Sequence, residues 1–183
     1  MGGLHTWTKK VLVISGSPRK SGNSDILCDE FVRGAVDGGN VATKVRLQEL
    51  NIAPCLACYA CRGTGKCAHD DDMAALLEKM VQTDVLVLAT PVYFYSLCGQ
   101  MKTMIDRTLP RYTEIRDKDV YFIVTAADEK PYLERTVEAL RGFTDCLPGA
   151  KVKGVIYGSD VYQKGEVKAT KAMNEAYTFV ANI

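Results

Sequence analysis

Residues 11–24 read Val11-Leu12-Val13-Ile14-Ser15-Gly16-Ser17-Pro18-Arg19-Lys20-Ser21-Gly22-Asn23-Ser24. The four aliphatic residues at the start predict a strand that is buried on both faces, as in a parallel sheet. A polar loop follows, and the apolar residues behind it recur at helical spacing, so we expect Asn23 or Ser24 to cap a helix. The stretch therefore predicts a strand, a loop and a helix, the unit from which α/β folds are built.

The loop of this unit carries groups that suit an anion. Gly16 allows close approach to the backbone, and Arg19 supplies a fixed positive charge. Hydroxyl groups are contributed by Ser15, Ser17, Ser21 and Ser24. The loop lacks the Lys-Ser/Thr pair of a P-loop and the G-x-G-x-x-G of dinucleotide-binding folds. Because a helix N-terminus also attracts negative charge, we expect a phosphate site; the alternative is an ordinary loop before a well-capped helix.

Composition limits the classes of protein that fit. The length of 183 residues suits one compact core, so we expect residues 1–183 to form a single domain. The net charge of +1 favours neither nucleic acid nor an anionic membrane as a partner. Residues 1–10 are too polar for a signal peptide and no apolar run could span a membrane, so we expect a cytoplasmic protein. The seven cysteines are then expected to be reduced thiols.

Five apolar segments alternate with helical patterns along the chain. The predicted strands are residues 11–14, 41–48, 85–89, 120–124 and 152–157. Strands one, three and four are continuously apolar, whereas strands two and five are more polar and belong at the edges. This pattern predicts an α/β fold with a doubly wound, five-stranded parallel sheet of order 2-1-3-4-5 and helices on both faces. Ligands of such sheets bind at the switch point, here between strands one and three.

A second loop is expected to border the same crevice. Thr90-Pro91-Val92-Tyr93-Phe94-Tyr95-Ser96 follows strand three, and Pro91 is expected to end that strand. Three consecutive aromatic residues on a loop indicate a flat partner, or alternatively a cover over the end of the sheet. Small residues after strand four, Thr125-Ala126-Ala127, leave room beside this loop.

A cysteine cluster occupies a segment without periodicity between strand two and the next helix. Its members are Cys55, Cys58, Cys61 and Cys67. Four thiolates on one short loop can surround an iron–sulfur cubane, whereas structural zinc sites usually use two widely separated pairs. His69 is a fifth possible ligand, although such a residue is more often simply solvated. From the residues alone, the loop could hold a cluster, zinc or no metal. Cys98 and Cys146 are expected to be helix-face or surface thiols.

Three motifs resemble the flavodoxin-like NAD(P)H-dependent FMN reductases. They are Gly16-Ser17-Pro18-Arg19-Lys20-Ser21-Gly22-Asn23-Ser24, Thr90-Pro91-Val92-Tyr93-Phe94 and Met101-Lys102-Thr103-Met104-Ile105-Asp106-Arg107. In that family the first loop holds the FMN phosphate, which implies contacts from Ser17, Arg19, Ser21, Asn23 and Ser24. The second loop lies along the flavin ring, which implies contacts from Pro91, Val92, Tyr93 and Phe94. Thr125 and Ala126 match the small-residue loop on the far side of the flavin.

The cysteine run resembles a branch of the same group, the iron–sulfur flavoproteins. That branch carries a [4Fe-4S] cluster, and the resemblance implies Cys55, Cys58, Cys61 and Cys67 as its ligands.

These resemblances imply an oxidoreductase that transfers electrons from NAD(P)H through bound FMN to a small acceptor such as a quinone or a flavin, without a catalytic side chain. The alternative is an iron–sulfur flavoprotein that passes electrons between FMN, a [4Fe-4S] cluster and a ferredoxin-type partner. A different class is a non-catalytic module, either a flavodoxin-like carrier or a zinc-stabilised interaction domain. Because flavin sites of the family are usually completed by a partner chain, the resemblance also implies a homodimer or homotetramer.

Overall fold

Residues 8–180 are described by a computed structural model of the chain. The strands are β1 Lys10–Ser15, β2 Val41–Arg46, β3 Val85–Tyr93, β4 Ser96–Leu97, β5 Asp119–Thr125 and β6 Lys151–Gly158. The helices are α1 Asn23–Asp37, α2 Met73–Gln82, α3 Gly99–Asp106, α4 Lys130–Thr144 and α5 Ala172–Thr178. Within this described part, no helix has the length and apolar character of a membrane span. Most of the N-terminal segment 1–10 and both ends of the predicted domain 1–183 lie outside the described residues.

The sheet has the predicted order, with one additional strand. Five parallel strands run in the order β2-β1-β3-β5-β6, and β4 pairs antiparallel with β3. The polar strands β2 and β6 lie at the edges, as their alternating burial requires. The α/β class and the strand order are therefore confirmed, whereas the predicted count of five strands omits the short β4.

Each face of the sheet is covered by helices because side chains alternate along buried strands. Leu12 and Ile14 of β1 pack on the side of α2, α3 and α4, whereas Val11 and Val13 pack on the side of α1 and α5. Burial of each such side chain contributes about 1.5–3 kcal/mol. The strand ends that carry the loops are consequently held in a rigid frame.

β3 continues beyond Pro91, so the prediction that the strand ends there is wrong. Pro91 lies opposite Thr125 in the pairing of β3 with β5. On the other side of β3, β1 pairs only as far as Ala89. Because no β1 carbonyl lies beyond that point, the missing N–H of Pro91 leaves no partner unsatisfied there.

The aromatic segment at the end of β3 forms a tight hairpin with β4. Tyr93 pairs with Ser96, and the two residues between them, Phe94 and Tyr95, have φ angles of 50° and 59°. Turns of this kind favour Asn-Gly because both central residues need positive φ, so two aromatic residues are strained here. The side chain of Phe94 is fully exposed at the tip of the hairpin.

Candidate functional site

The first loop is attached to the end of β3. The Gly16 amide donates a hydrogen bond to the Ala89 carbonyl at 2.8 Å, and the Cys98 thiol donates to the Gly16 carbonyl at 3.1 Å. The Cys98 amide in turn donates to Thr90 Oγ1 at 3.0 Å. Cys98 is 1% exposed and lies just before α3, so the prediction of a helix-face or surface thiol is wrong. The Cys98 side chain therefore attaches the first loop to the segment before α3.

A buried carboxylate fixes the far end of the same loop. Asp25 Oδ2 accepts a hydrogen bond from the Ser21 amide at 2.8 Å, and Oδ1 lies 3.1 Å from Lys44 Nζ and 3.3 Å from Arg46 Nε. Burial favours a raised pKa for this carboxyl, but the Ser21 amide, Lys44 and Arg46 outweigh it and hold the pKa below its usual value. Asp25 therefore stays ionised and stabilises Ser21 at its positive φ of 54°.

The side chains predicted to cap α1 instead join the start of this helix to the loop after β6 and to the end of β5. The residue before α1 is Gly22, and α1 begins at Asn23 without a side-chain cap, so the predicted cap is wrong. The Asn23 amide group donates to the Gln163 carbonyl and accepts from the Gly165 amide, both at 3.0 Å. Ser24 Oγ lies 2.7 Å from Thr125 Oγ1. The first backbone N–H groups of α1 have no partner within the helix, which leaves them available to an anion.

One cleft gathers most of the residues that the sequence singled out. It has a volume of about 190 Å³ and lies at the carboxyl ends of β1, β3, β5 and β6. Its lining residues are Ser17, Arg19, Gly22, Asn23, Ser24, Pro91, Val92, Tyr93, Thr125, Ala126, Ala127, Val161 and Tyr162. A larger cavity of about 540 Å³ lies beside the cysteine loop, but its walls contain no cation. The cleft is thus the better candidate for a phosphate-bearing ligand.

Two predicted residues do not line this cleft, and two others were missed. The Ser21 side chain is exposed, and Phe94 projects from the hairpin tip. Val161 and Tyr162, which follow β6, were not predicted. The topology alone could have identified them, because β6 ends at the same edge of the sheet as the other cleft-forming strands.

Arg19 is the cation that the cleft offers to a ligand. Its side chain is exposed, and it forms no ion pair with any residue in 8–180. By contrast, Lys44 and Arg46 are occupied by Asp25 behind the loop. An incoming phosphate would meet an uncompensated guanidinium beside a helix N-terminus.

The cysteine loop is closed at its base by contacts between its two ends. The Asn51 amide donates to Asp72 Oδ2 at 2.7 Å, and the Ala53 amide donates to Asp71 Oδ2 at 3.1 Å. Asp71 Oδ1 also accepts from the Met73 amide at 3.1 Å, which supports the start of α2. The segment between these contacts carries all four clustered cysteines.

The four cysteines surround one small cavity. Cys55, Cys58, Cys61 and Cys67 line it together with His69 and Arg107, and all four are free thiols. Nowhere in residues 8–180 do three Cys, His, Asp or Glu side chains converge closely enough to hold a single metal ion. A tetrahedral zinc site needs four ligands within about 2.3 Å of one point. The four cysteines therefore share a cavity without the convergence that a single-ion site requires.

Asp71 provides a measurable pH dependence of stability. Hydrogen bonds from Arg107, followed by those from the Ala53 and Met73 amides, lower the pKa of Asp71 to about 2. The pKa in the unfolded chain is about 3.9, so this carboxylate contributes stability above pH ~4 that is lost as the pH falls towards about 2.

We expect Asp71→Asn to reduce the free energy of unfolding at pH 7 and to flatten its decline between about pH 4 and pH 2. Urea unfolding followed by circular dichroism at several pH values measures both effects. Equal acid slopes for the variant and the unmodified protein would contradict the assignment.

The fold and the cleft define the flavodoxin-like class of α/β proteins. Residues 9–163 match the family model described as NADPH-dependent FMN reductase, and the chain belongs to that family. It is an FMN-dependent oxidoreductase.

Individual relatives agree with this placement. An iron–sulfur flavoprotein of Methanocaldococcus jannaschii is 32% identical over 136 residues, which are 73% of this chain and 70% of the relative. A Bacillus subtilis protein is 31% identical over 65% of this chain and 67% of its own length. It is named as an NAD(P)H-dependent FMN-containing oxidoreductase. Several other iron–sulfur flavoproteins match over only about half of their own length.

Solved structures share the fold at low sequence identity. An NAD(P)H:quinone oxidoreductase from Methanothermobacter marburgensis superimposes with a TM-score of 0.74 at 14% identity, covering 96% of this chain and 99% of that one. At this identity the likeness shows the common fold alone.

Proposed function

We propose that this oxidoreductase accepts electrons from NAD(P)H and transfers them, through FMN bound in the cleft, to a small acceptor such as a quinone or a flavin. The observation that carries the proposal is the cleft itself, in which an uncompensated Arg19 and the start of α1 lie beside an apolar wall of the β3 hairpin. A cation and free N–H groups suit the phosphate, whereas apolar and aromatic side chains suit the flat ring.

The first loop is assigned to the phosphate. Ser17 and Ser24 are buried at the base of the cleft, and Arg19 lies at its rim. The Asn23 side chain is engaged with the loop after β6, so its contribution is its backbone N–H. Ser21 has its amide committed to Asp25, which leaves only its hydroxyl for a ligand.

The β3 hairpin and the loop after β5 are assigned to the ring. Pro91, Val92 and Tyr93 form one wall, and Thr125 and Ala126 form the other. When bound, FMN supplies the redox chemistry, and the side chains bind it, orient it and exclude water. None of these five residues is charged, and the reaction requires no charged side chain beside the ring. Phe94, at the hairpin tip, is available to a ring edge or to an incoming acceptor.

We also propose that the cysteine loop holds a [4Fe-4S] cluster, with Cys55, Cys58, Cys61 and Cys67 as its ligands. The four cysteines line one cavity, which favours this second function, and relatives named iron–sulfur flavoproteins support it. Such a cluster would allow exchange of single electrons with a ferredoxin-type partner.

A homodimer or homotetramer completes the proposal. Tyr93, Phe94 and Tyr95 are each more than 40% exposed on the hairpin beside the cleft. A second chain would cover these aromatic side chains and close the open side of the flavin site.

Arg19→Ala tests the phosphate assignment. We expect FMN affinity to fall by about 1.5–3 kcal/mol, the usual contribution of a charge-assisted hydrogen bond, or roughly 10- to 150-fold. Fluorescence titration of the apoprotein with FMN measures the change. Lys20→Ala is the matched control, because Lys20 is an adjacent exposed cation that does not line the cleft. Equal affinity for the two variants would remove Arg19 from the site.

A further inference from the structure

Among residues 8–180, Arg107 is the largest side chain that is fully buried. It follows α3 directly and is 1% exposed. Its Nη1 donates to Asp71 Oδ2 at 2.7 Å and to the Ala53 carbonyl at 2.5 Å, and its Nη2 donates to Asp71 Oδ1 at 2.9 Å. The cost of burying a charged guanidinium must be offset by hydrogen bonds and an opposite charge. The bidentate ion pair with the Asp71 carboxylate supplies most of both.

The position of these contacts gives Arg107 a particular relation to the cysteine loop. Ala53 precedes the four clustered cysteines, whereas Asp71 follows them. A single guanidinium, carried by a separate element, therefore holds both ends of the loop together. Other contacts between the two ends are hydrogen bonds of Asn51 with Asp72, of the Ala53 amide with Asp71, and of His69 Nε2 with the Pro54 carbonyl.

One nitrogen of Arg107 makes no hydrogen bond in the described part of the chain. Nε is buried and has no hydrogen-bond partner within residues 8–180. Arg107 lines the four-cysteine cavity together with Cys67. A buried donor without a partner is costly unless a ligand completes it. Here the adjoining space is lined by sulfur.

We propose that Arg107 is the positioning residue of the cysteine site: its Nη atoms close the base of the loop, and its Nε is held for a sulfur of the group that the cysteines bind. This inference rests on the proposed cluster. Four thiolates around an iron–sulfur core carry net negative charge, and Arg107 is the cation that balances it from inside the protein. Asp71 keeps the guanidinium in place and is not among the residues that line the four-cysteine cavity.

Three variants separate the effect of the Arg107 charge from its effect on closure of the cysteine loop. Arg107→Met and Arg107→Lys both replace the planar fork by an unbranched chain and differ in charge. Asp71→Asn weakens the closure of the loop but leaves Arg107 present. Should Arg107→Met fail to fold, as judged by circular dichroism and FMN content, Arg107→Gln takes its place, because Gln keeps amide donors for the base of the loop without the charge.

In iron-reconstituted protein, the readout is the cluster midpoint potential, measured by anaerobic dye titration. Loss of a positive donor near the sulfurs makes reduction harder. We expect a more negative potential in Arg107→Met, a smaller shift in Arg107→Lys, and the smallest in Asp71→Asn. Equal shifts in all three variants would mean that Arg107 acts only as a structural clasp, and would overturn the proposal.

In iron-free protein, the readout is the alkylation rate of Cys67 by iodoacetamide, followed by mass spectrometry with Cys146 as internal reference. Arg107→Met removes the contacts that close the base of the loop, which exposes the half-buried Cys67 thiol to the reagent. We expect Cys67 to react several-fold faster in Arg107→Met, with a smaller increase in Asp71→Asn. Should the unmodified protein bind no iron, the proposed cluster fails, and this comparison alone decides on Arg107. An unchanged Cys67 rate in Arg107→Met would then overturn the inference.

Discussion

Cys61→Ser is expected to remove the iron from anaerobically purified protein while FMN stays bound. A [4Fe-4S] cluster needs four thiolates, and a serine hydroxyl is a much poorer ligand for iron–sulfur chemistry. We expect about four irons per chain in the unmodified protein and background iron in the variant. Reduction of one-electron acceptors should fall with the iron, whereas NAD(P)H-dependent reduction of free flavin should remain.

Cys146→Ser is the matched control for this experiment. Cys146 is an exposed free thiol that is not part of the cavity formed by the clustered cysteines. Its replacement should leave iron, FMN and both activities unchanged. Background iron in the unmodified protein after anaerobic reconstitution, with flavin reduction intact, would decide against the cluster and leave a plain FMN reductase.

Gly16→Val is expected to abolish FMN binding at micromolar concentrations and to lower the free energy of unfolding by about 1–3 kcal/mol. A Cβ at this position would lie 2.8 Å from the Cys98 sulfur and 3.1 Å from the Ala89 carbonyl oxygen. Neither can retreat easily, because Cys98 is buried and Ala89 is paired in the sheet. The first loop must therefore move away from β3, which disrupts the cleft.

A control and a rescue make this prediction specific. Gly142→Ala places a methyl group where nothing lies within 4 Å, so it should leave FMN binding unchanged. Gly16→Ala is expected to weaken FMN binding less than Gly16→Val, and the added change Cys98→Ala, which removes the sulfur, should restore part of the affinity. FMN titration and urea unfolding measure these effects. Full FMN affinity in Gly16→Val would show that the loop tolerates displacement.

The sheet and most of the cleft were predictable because their signals are local. Unbroken apolar runs identified β1, β3 and β5, and alternating patterns placed β2 and β6 at the edges. Parallel strands end at one edge of the sheet, so the loops after β1, β3 and β5 could be assigned to one crevice before the structure was known.

The errors concern contacts between distant parts of the chain. Cys98 meets Gly16 across 82 positions, and Asn23 meets Gln163 across 140. No periodic pattern encodes such pairs. The same is true of the buried Arg107, whose partner Asp71 lies 36 positions earlier. The prediction for Pro91 was wrong because proline interrupts a strand only where a neighbouring strand needs its N–H. Here β1 has already ended, so β3 can continue through Pro91.

The helix α3 has a geometric consequence for electron transfer. Cys98, just before its first residue, supports the first loop, and Arg107, just after its last residue, holds the cysteine loop. At 1.5 Å per residue, the nine steps between them span roughly 13 Å along a hydrogen-bonded rod. α3 thus acts as a spacer of fixed length between the proposed FMN site and the proposed cluster site, and an axial shift at its cysteine end would be transmitted to the loop that Cys98 supports.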